Sequence, residues 1–213
     1  MRRILVGAFL VAILASGFSL SRQVGGSLAA VALTVAQKGE CGLSVNVTEG
    51  PYYVSGTSEL KDAELNTTNL PGLPIVISGH VYEGAVGSKP LANSKIEIWH
   101  ADSSGSYHPN SNGDVTKYKT QDLALRGFVV TDANGAYRFT TIYPGEYTGR
   151  TRHIHFKITA GQKALTTQLI IPSKAGDKIR FDEDTIAQGM PTCALLKFDN
   201  SVTPEAATFD FRL

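Results

Sequence analysis

The chain has 213 residues and a formal net charge of +1, from 20 Lys and Arg against 19 Asp and Glu. A hydrophobic content of 42% and a charged content of 18% are those of a globular protein and exclude a largely disordered chain. The balanced charge gives no indication of a nucleic-acid partner. The two cysteines are too few for a disulfide scaffold or a Cys-rich zinc module.

Residues 1–36 have the layout of an export signal. Arg2 and Arg3 precede an apolar run over 4–14, and a second apolar stretch covers 28–36. Each run is shorter than the roughly 20 residues that span a bilayer, which favours a cleaved signal peptide. The two runs together leave an N-terminal anchor open, and only that case would place the protein at a membrane. We therefore expect a secreted or periplasmic protein.

Residues 37–213 are predicted to form a single all-β domain. Enrichment in β-branched residues or alternation of polar and apolar residues indicates strands over 75–82, 95–100, 126–131, 137–142, 153–158 and 165–171. No long amphipathic helix is indicated after residue 40, and only 183–190 suggest one short helical turn. Strands at close spacing without helices between them predict an antiparallel β-sandwich whose long loops carry the active site.

Turn and loop signals divide these strands. Asn134-Gly135 readily adopts positive φ, so Asp132–Gly135 predicts a hairpin that pairs strand 126–131 with strand 137–142. The segment 101–122 is long and polar and includes Tyr107. Long ordered loops on a β scaffold often carry function.

His153 and His155 are the first candidate metal ligands. They are two residues apart on a predicted strand, so both imidazoles point to the same face. Tyr147 lies just before them on a Pro-Gly turn, and Tyr107 follows an earlier strand. Two imidazoles with two phenol oxygens suit a hard, highly charged ion such as Fe(III). A phenol with a pKa of about 10 needs strong local positive charge to ionise at neutral pH.

An ordered set of motifs carries a family resemblance. The motifs are Thr48–Tyr53, Trp99 with Gly105–Tyr107, Leu125–Gly127, Thr131–Gly135, Thr141–Tyr147, Arg150–Phe156 and Leu165–Gln168. In this order they resemble the intradiol ring-cleavage dioxygenases, the family of protocatechuate and catechol dioxygenases. The resemblance covers roughly residues 45–172 and is greatest to the small secreted members.

The resemblance implies a role for each matching residue. Tyr107, Tyr147, His153 and His155 would bind Fe(III), and Tyr147 would leave the iron when the substrate arrives. Arg150 would stabilise charge on the bound ring, with Gln168 beside it. The substrate pocket would be lined by Gly50, Pro51 and Tyr52. Arg152 takes a position often held by proline, and the resemblance gives it no role.

The implied activity is cleavage of a catechol-type ring between its two hydroxyl-bearing carbons. O2 is the second substrate and a muconate-type diacid the product, a reaction of aromatic compound catabolism. The particular catechol or hydroxyquinol is left open, as is assembly into a homo-oligomer. A second class stays open too, namely a non-catalytic transthyretin-like or adhesin-type β-sandwich module. That class explains the strand and turn motifs but gives no reason for Tyr147, Arg150, His153 and His155 to be grouped.

The cysteines Cys41 and Cys193 are predicted disulfide partners. Export to an oxidising compartment would allow the bond to form. It would connect the mature N-terminus to a late loop. The alternative is two unpaired thiols.

Overall fold

The computed structural model describes residues 42–213. Residues 1–36, the predicted export signal, and Cys41 lie outside the described residues, so the predictions made for them stay predictions. Within 42–213, no helix combines the length and apolar character needed to cross a membrane.

Strands make up most of the regular secondary structure of residues 42–213. They are β1 Val54–Ser55, β2 Pro74–Tyr82, β3 Lys95–Trp99, β4 Gly113–Asp114, β5 Arg126–Val130, β6 Ala136–Ile142, β7 His153–Ala160, β8 Lys163–Ile170, β9 Phe198–Asp199, β10 Glu205–Thr208 and β11 Phe211–Arg212. One short α-helix, α1 Thr185–Gln188, lies within the segment 183–190 where the sequence suggested it. Short 3-10 turns cover Lys61–Ala63, Val115–Lys117, Thr120–Asp122, Phe181–Glu183 and Thr192–Ala194.

The strands form two main sheets. The first has the order β5-β3-β7-β8 and is antiparallel throughout. In the second, β6 pairs antiparallel with β2, while β10 and β11 pair in parallel with successive parts of β2. β9 extends this sheet beyond β10, and β1 and β4 form a separate parallel bridge. The predicted all-β sandwich is confirmed.

Alternation along β7 separates the core from the opposite face of the first sheet. Ile154, Phe156 and Ile158 are fully buried in the main hydrophobic cluster. Phe156 packs edge-to-face on Phe139 of the second sheet, with ring centroids 6.0 Å apart. His153 and the other odd-numbered residues of the strand therefore point away from this core.

The predicted hairpin between β5 and β6 is wrong. Its turn forms, because the backbone N–H of Gly135 donates to the carbonyl of Asp132. The flanking strands nevertheless belong to different sheets, since β5 pairs with β3 and β6 pairs with β2. Val129 and Phe139 both enter the main core, so each strand covers the core from its own sheet. The turn residues set the local backbone direction, and burial decides the pairing.

His100, which the sequence left unassigned, connects the two sheets. Its ring is fully buried; Nδ1 lies 2.7 Å from the carbonyl oxygen of Ala101, and Nε2 lies 2.7 Å from Thr141 Oγ1 on β6. Nδ1–H donates to the carbonyl, and Nε2 accepts from the hydroxyl, so the neutral ring satisfies both contacts. Burial lowers the pKa of His100 to about 4.

This buried histidine predicts a loss of stability in acid. The unfolded ring binds a proton below a pKa of about 6.5, whereas the folded ring stays neutral down to about 4. The stabilisation of the folded state by the neutral His100 ring is complete above pH 6.5. It is lost as the pH falls from 6.5 to about 4. The expected loss is roughly 3 kcal/mol of unfolding free energy. Urea denaturation across this range measures it.

The matched variants are His100→Gln and His80→Gln, since the His80 side chain is 40% exposed. His100→Gln should flatten the acid loss by about this amount, and His80→Gln should keep it. An equally steep loss in both variants would contradict the assignment to His100.

Candidate metal centre and active site

The outer face of the first sheet carries the candidate site. Strand pairing sets Trp99 of β3 opposite His155 of β7, and His155 opposite Gln168 of β8. Directly paired residues project to the same face, so these three side chains form one row. His153 lies on that face as well, as its spacing from His155 predicted.

A turn stabilised by Asp102 positions Tyr107. The carboxylate Oδ1 of Asp102 accepts hydrogen bonds from the backbone N–H groups of Ser104, at 2.8 Å, and Ser106, at 3.0 Å. The carboxylate thus holds the turn that leads from the end of β3 into Tyr107. Tyr107 is 3% exposed and packs with Trp99.

Two glycines allow the Tyr107 loop and the Tyr147 turn to meet backbone to backbone. Gly105 has a φ of +88°, and a Cβ there would overlap the carbonyl oxygen of Glu146. A Cβ at Gly145 would overlap backbone atoms of Ser103 and Gly105. Larger residues would force the two segments apart. Because the segments touch, the rings of Tyr107 and Tyr147 lie edge-to-face with centroids 5.4 Å apart.

The four predicted ligands converge on one point. Nε2 of His153 lies 3.2 Å from Nε2 of His155 and 3.5 Å from the Tyr107 hydroxyl oxygen. The Tyr147 ring lies 5.4 Å from the His153 ring, centroid to centroid. Both histidines are 3% exposed, whereas Tyr147 is half-buried. Tyr147 therefore faces the open side of the cluster.

A hydrogen bond directs the lone pair of one of the two imidazoles into the cluster. His153 Nδ1 lies 2.6 Å from the carbonyl oxygen of Thr151, so Nδ1 carries the proton and Nε2 is free to bind a metal. His155 Nδ1 is buried and has no hydrogen-bond partner among residues 42–213. Burial lowers the pKa of His153 to about 3, and it lowers the pKa of His155 well below its usual value, with the charge of His153 adding to the effect.

This donor set fits a metal ion. Adjacent ligands about 2.1 Å from a shared ion lie roughly 3.0–3.5 Å apart, as these atoms do. Burial raises the pKa of Tyr107 well above its usual value, and burial also raises the pKa of Tyr147, so both phenolates require a nearby cation. Residues 42–213 contain no cluster of three or more His, Cys, Asp or Glu arranged for a metal. An ion here would depend on the phenol oxygens.

Arg150 joins the cluster through its two terminal nitrogens. Nη1 donates to the Tyr147 hydroxyl oxygen at 3.3 Å, and Nη2 donates to Gln168 Oε1 at 2.5 Å. Gln168 is 1% exposed, so it is not a solvent-facing strand residue. The structure therefore brings Arg150 and Gln168 together with the four candidate ligands.

The predicted pocket residues lie beside the tyrosines. The Tyr52 ring stacks on Tyr107, with centroids 4.3 Å apart, and meets Tyr147 edge-on. Gly50 has a φ of +75°, and a Cβ there would lie 3.5 Å from His155 Cε1, so glycine leaves the space beside that ring open. Pro51 is exposed on the turn between Gly50 and Tyr52.

Arg152 points away from the cluster. Its side chain forms an ion pair with Asp177 and donates to the carbonyl of Pro144. It therefore connects the segment after β8 to the Pro-Gly turn. Cys193, in the same late segment, is disulfide-bonded, and its predicted partner Cys41 lies outside the described residues.

Three residues that support the site, Asp184, Arg126 and Trp99, have no role that the sequence predicted. Asp184 is completely buried against Arg150. Arg126 donates to the carbonyls of His108 and Tyr52 and so connects the Tyr107 loop to the Tyr52 segment. Trp99 is buried and stacks on His155, with centroids 4.9 Å apart and planes 8° from parallel. Trp99 and Arg126 lie in motifs that carry the family resemblance, whereas Asp184 was marked only by the helix-start pattern of Asp184-Thr185.

Comparisons with known proteins relate this chain to dioxygenases. A family model described as "Dioxygenase" matches residues 48–213. The catechol 1,2-dioxygenase of Acinetobacter baylyi is 33% identical over 156 residues, which cover 63% of this chain and 47% of the relative. The solved dioxygenase domain of a dioxygenase–carbohydrate-binding fusion from Streptomyces sp. SirexAA-E has a TM-score of 0.64 and 32% identity, covering 80% of this chain and 97% of that domain.

A further relative is the protocatechuate 3,4-dioxygenase beta chain of Burkholderia cepacia. It is 35% identical over 138 residues, which cover 58% of this chain and 53% of the relative. The chain spans about half the length of the curated relatives it matches. The family-model match over residues 48–213 includes all the strands and the candidate metal-ligating, catalytic and pocket residues. It favours the enzyme class over the non-catalytic module that the sequence left open.

Proposed function

We propose that this chain, which belongs to the intradiol ring-cleavage dioxygenase family, binds Fe(III) and uses O2 to cleave catechol-type rings between their hydroxyl-bearing carbons. The product would be a muconate-type diacid. One observation carries the proposal: the oxygens and nitrogens of Tyr107, Tyr147, His153 and His155 converge on the outer face of the first sheet.

The protein's own residues supply binding, orientation and proton transfer. Fe(III) would act as a Lewis acid toward the two catechol oxygens and draw electron density from the ring. Tyr147 is the ligand placed at the open side, and its phenolate oxygen is a base for one catechol proton. Tyr107, His153 and His155 are buried and would stay in place.

Arg150 contacts both Tyr147, at the open side, and the buried Gln168. Arg150 Nη1 donates to the Tyr147 hydroxyl oxygen. When Tyr147 moves away from the cluster, this N–H becomes available to an anionic substrate oxygen. A fixed guanidinium stabilises negative charge that develops on the ring, at a position from which the protein excludes most water. Tyr52 offers a flat aromatic surface beside Tyr107 for the substrate ring.

Oxygen uptake with product analysis tests the proposal. Purified protein loaded with iron should be burgundy, from charge transfer between phenolate and Fe(III). With catechol, protocatechuate or hydroxyquinol it should consume one O2 per ring and release the intradiol diacid. The Tyr107→Phe protein serves as the blank. A colourless protein after iron loading, or cleavage outside the two hydroxyl-bearing carbons, would refute the proposal.

A further inference from the structure

Asp184 contacts both Arg150 and Thr151, which in turn contact the candidate metal ligands Tyr147 and His153. Its carboxylate is completely buried, on the segment between β8 and β9, beyond the motifs that carry the family resemblance. Oδ1 and Oδ2 accept hydrogen bonds from Arg150 Nε at 3.0 and 2.9 Å. With Nε occupied in this way, the guanidinium has both terminal nitrogens left for Tyr147 and Gln168.

The same carboxylate holds the peptide that orients His153. Oδ2 accepts from the backbone N–H of Thr151 at 2.9 Å and lies 3.2 Å from its hydroxyl. The carbonyl of Thr151 then accepts from His153 Nδ1 at 2.6 Å. One buried anion therefore fixes the direction of the Arg150 charge and, through Thr151, the tautomer of His153.

Asp184 also has a structural task that must be separated from this one. Oδ1 accepts from the backbone N–H groups of Ile186 and Ala187, both at 3.0 Å, and so caps the start of α1. Asparagine caps helices about as well as aspartate. At Asp184, however, an Asn carboxamide would present NH2 to donors on the Thr151 side and would carry no charge for Arg150. Asp184→Asn thus keeps the cap, removes the acceptor for the Thr151 backbone N–H, and leaves Arg150 Nε a single neutral acceptor in place of a carboxylate.

We propose that Asp184 is a positioning residue for the ring-cleavage reaction, acting through Arg150 and through Thr151 on His153. The inference rests on the proposed function for its kinetic consequence, although its geometric part stands on the contacts of Asp184 alone. Some groups orient metal ligands by hydrogen bonds without contacting the metal themselves. Removing such a group typically lowers metal affinity or activity by about 10- to 100-fold.

The experiment compares Asp184→Asn with Asp177→Asn in the full chain. Asp177 lies on the same segment and pairs with Arg152, which points away from the site, so its loss breaks an ion pair without touching Arg150. Three quantities are measured: the charge-transfer band of the ferric protein, kcat and KM for catechol, and the His153 tautomer by 15N NMR of the metal-free protein.

Asp184→Asn should shift the band, lower kcat by about 10-fold or more with a smaller change in KM, and abolish the single Nδ1–H tautomer of His153. Asp177→Asn should match the wild type in all three. In an Arg150→Gln background, Asp184→Asn should lower kcat by a smaller factor than it does in the wild type, because only the route through Thr151 to His153 is left to lose.

Asp184→Asn behaving like Asp177→Asn in all three measurements would overturn the inference and leave only a helix cap. If the wild type consumes no O2 with any catechol, the proposed function fails separately, and the tautomer of His153 decides the role of Asp184. Should Asp184→Asn fail to fold, Asp184→Ser, which also caps helices, replaces it and is judged by the same outcomes.

Discussion

Tyr107→Phe is expected to purify with less than about a tenth of the wild-type iron, because it removes a direct ligand, and even the loss of supporting groups costs 10- to 100-fold in metal affinity. The buried Tyr107 oxygen lies 3.5 Å from His153 Nε2, whereas phenylalanine offers no donor atom at this position. The burgundy colour should disappear with the iron. Metal analysis after dialysis against a chelator measures the loss.

Tyr118→Phe is the matched control for Tyr107→Phe. Tyr118 lies on the same long loop, but its hydroxyl donates to the carbonyl of Asn112 at 2.6 Å. The iron content of the Tyr118→Phe protein should therefore equal that of the wild type. His153→Ala should reproduce the loss seen in Tyr107→Phe. If Tyr107→Phe retained the wild-type iron content, Tyr107 would not be an iron ligand. If His153→Ala retained it, His153 would not be one.

The strands and the placement of His153 and His155 on one face of β7 were predictable because their signals are local. Alternation along β7 separates Ile154 and Phe156 from His153 and His155 within a few residues of sequence. The pairing of β5 and β6 was not predictable in this way. Asp132–Gly135 forms the expected turn, but which strand lies beside which depends on how two apolar faces close over one core.

The support of the site was even less visible in the sequence. Asp184 contacts Arg150 across 34 residues of chain, and nothing near Asp184 except its helix-start pattern marks it. Arg150 and Arg152 look alike in the sequence, yet one turns to Asp184 at the site and the other to Asp177 away from it. Side-chain partners so far apart in the sequence are determined by how the chain packs. A sequence motif can therefore identify the candidate ligands but not the residues, such as Asp184, that position them.

Arg150→Gln should lower kcat by about 10²- to 10³-fold, the usual cost of removing a fixed group that stabilises developing charge. Glutamine retains a hydrogen-bond donor but no charge for an anionic ring beside Tyr147 and Gln168. Iron content should stay at the wild-type level, since Arg150 contacts Tyr147 without being a ligand itself. Steady-state oxygen uptake and metal analysis on the same preparation separate the two effects.

Arg152→Gln tests whether this loss of rate is specific to the site. Both arginines form ion pairs with largely buried aspartates on the segment after β8, with side chains 13% and 17% exposed. Removing either cation should cost on the order of 3 kcal/mol, because a buried carboxylate is left without its partner. Assays therefore run well below both melting temperatures. A comparable fall in kcat in both variants, or none in Arg150→Gln, would show that Arg150 serves stability and not the developing charge.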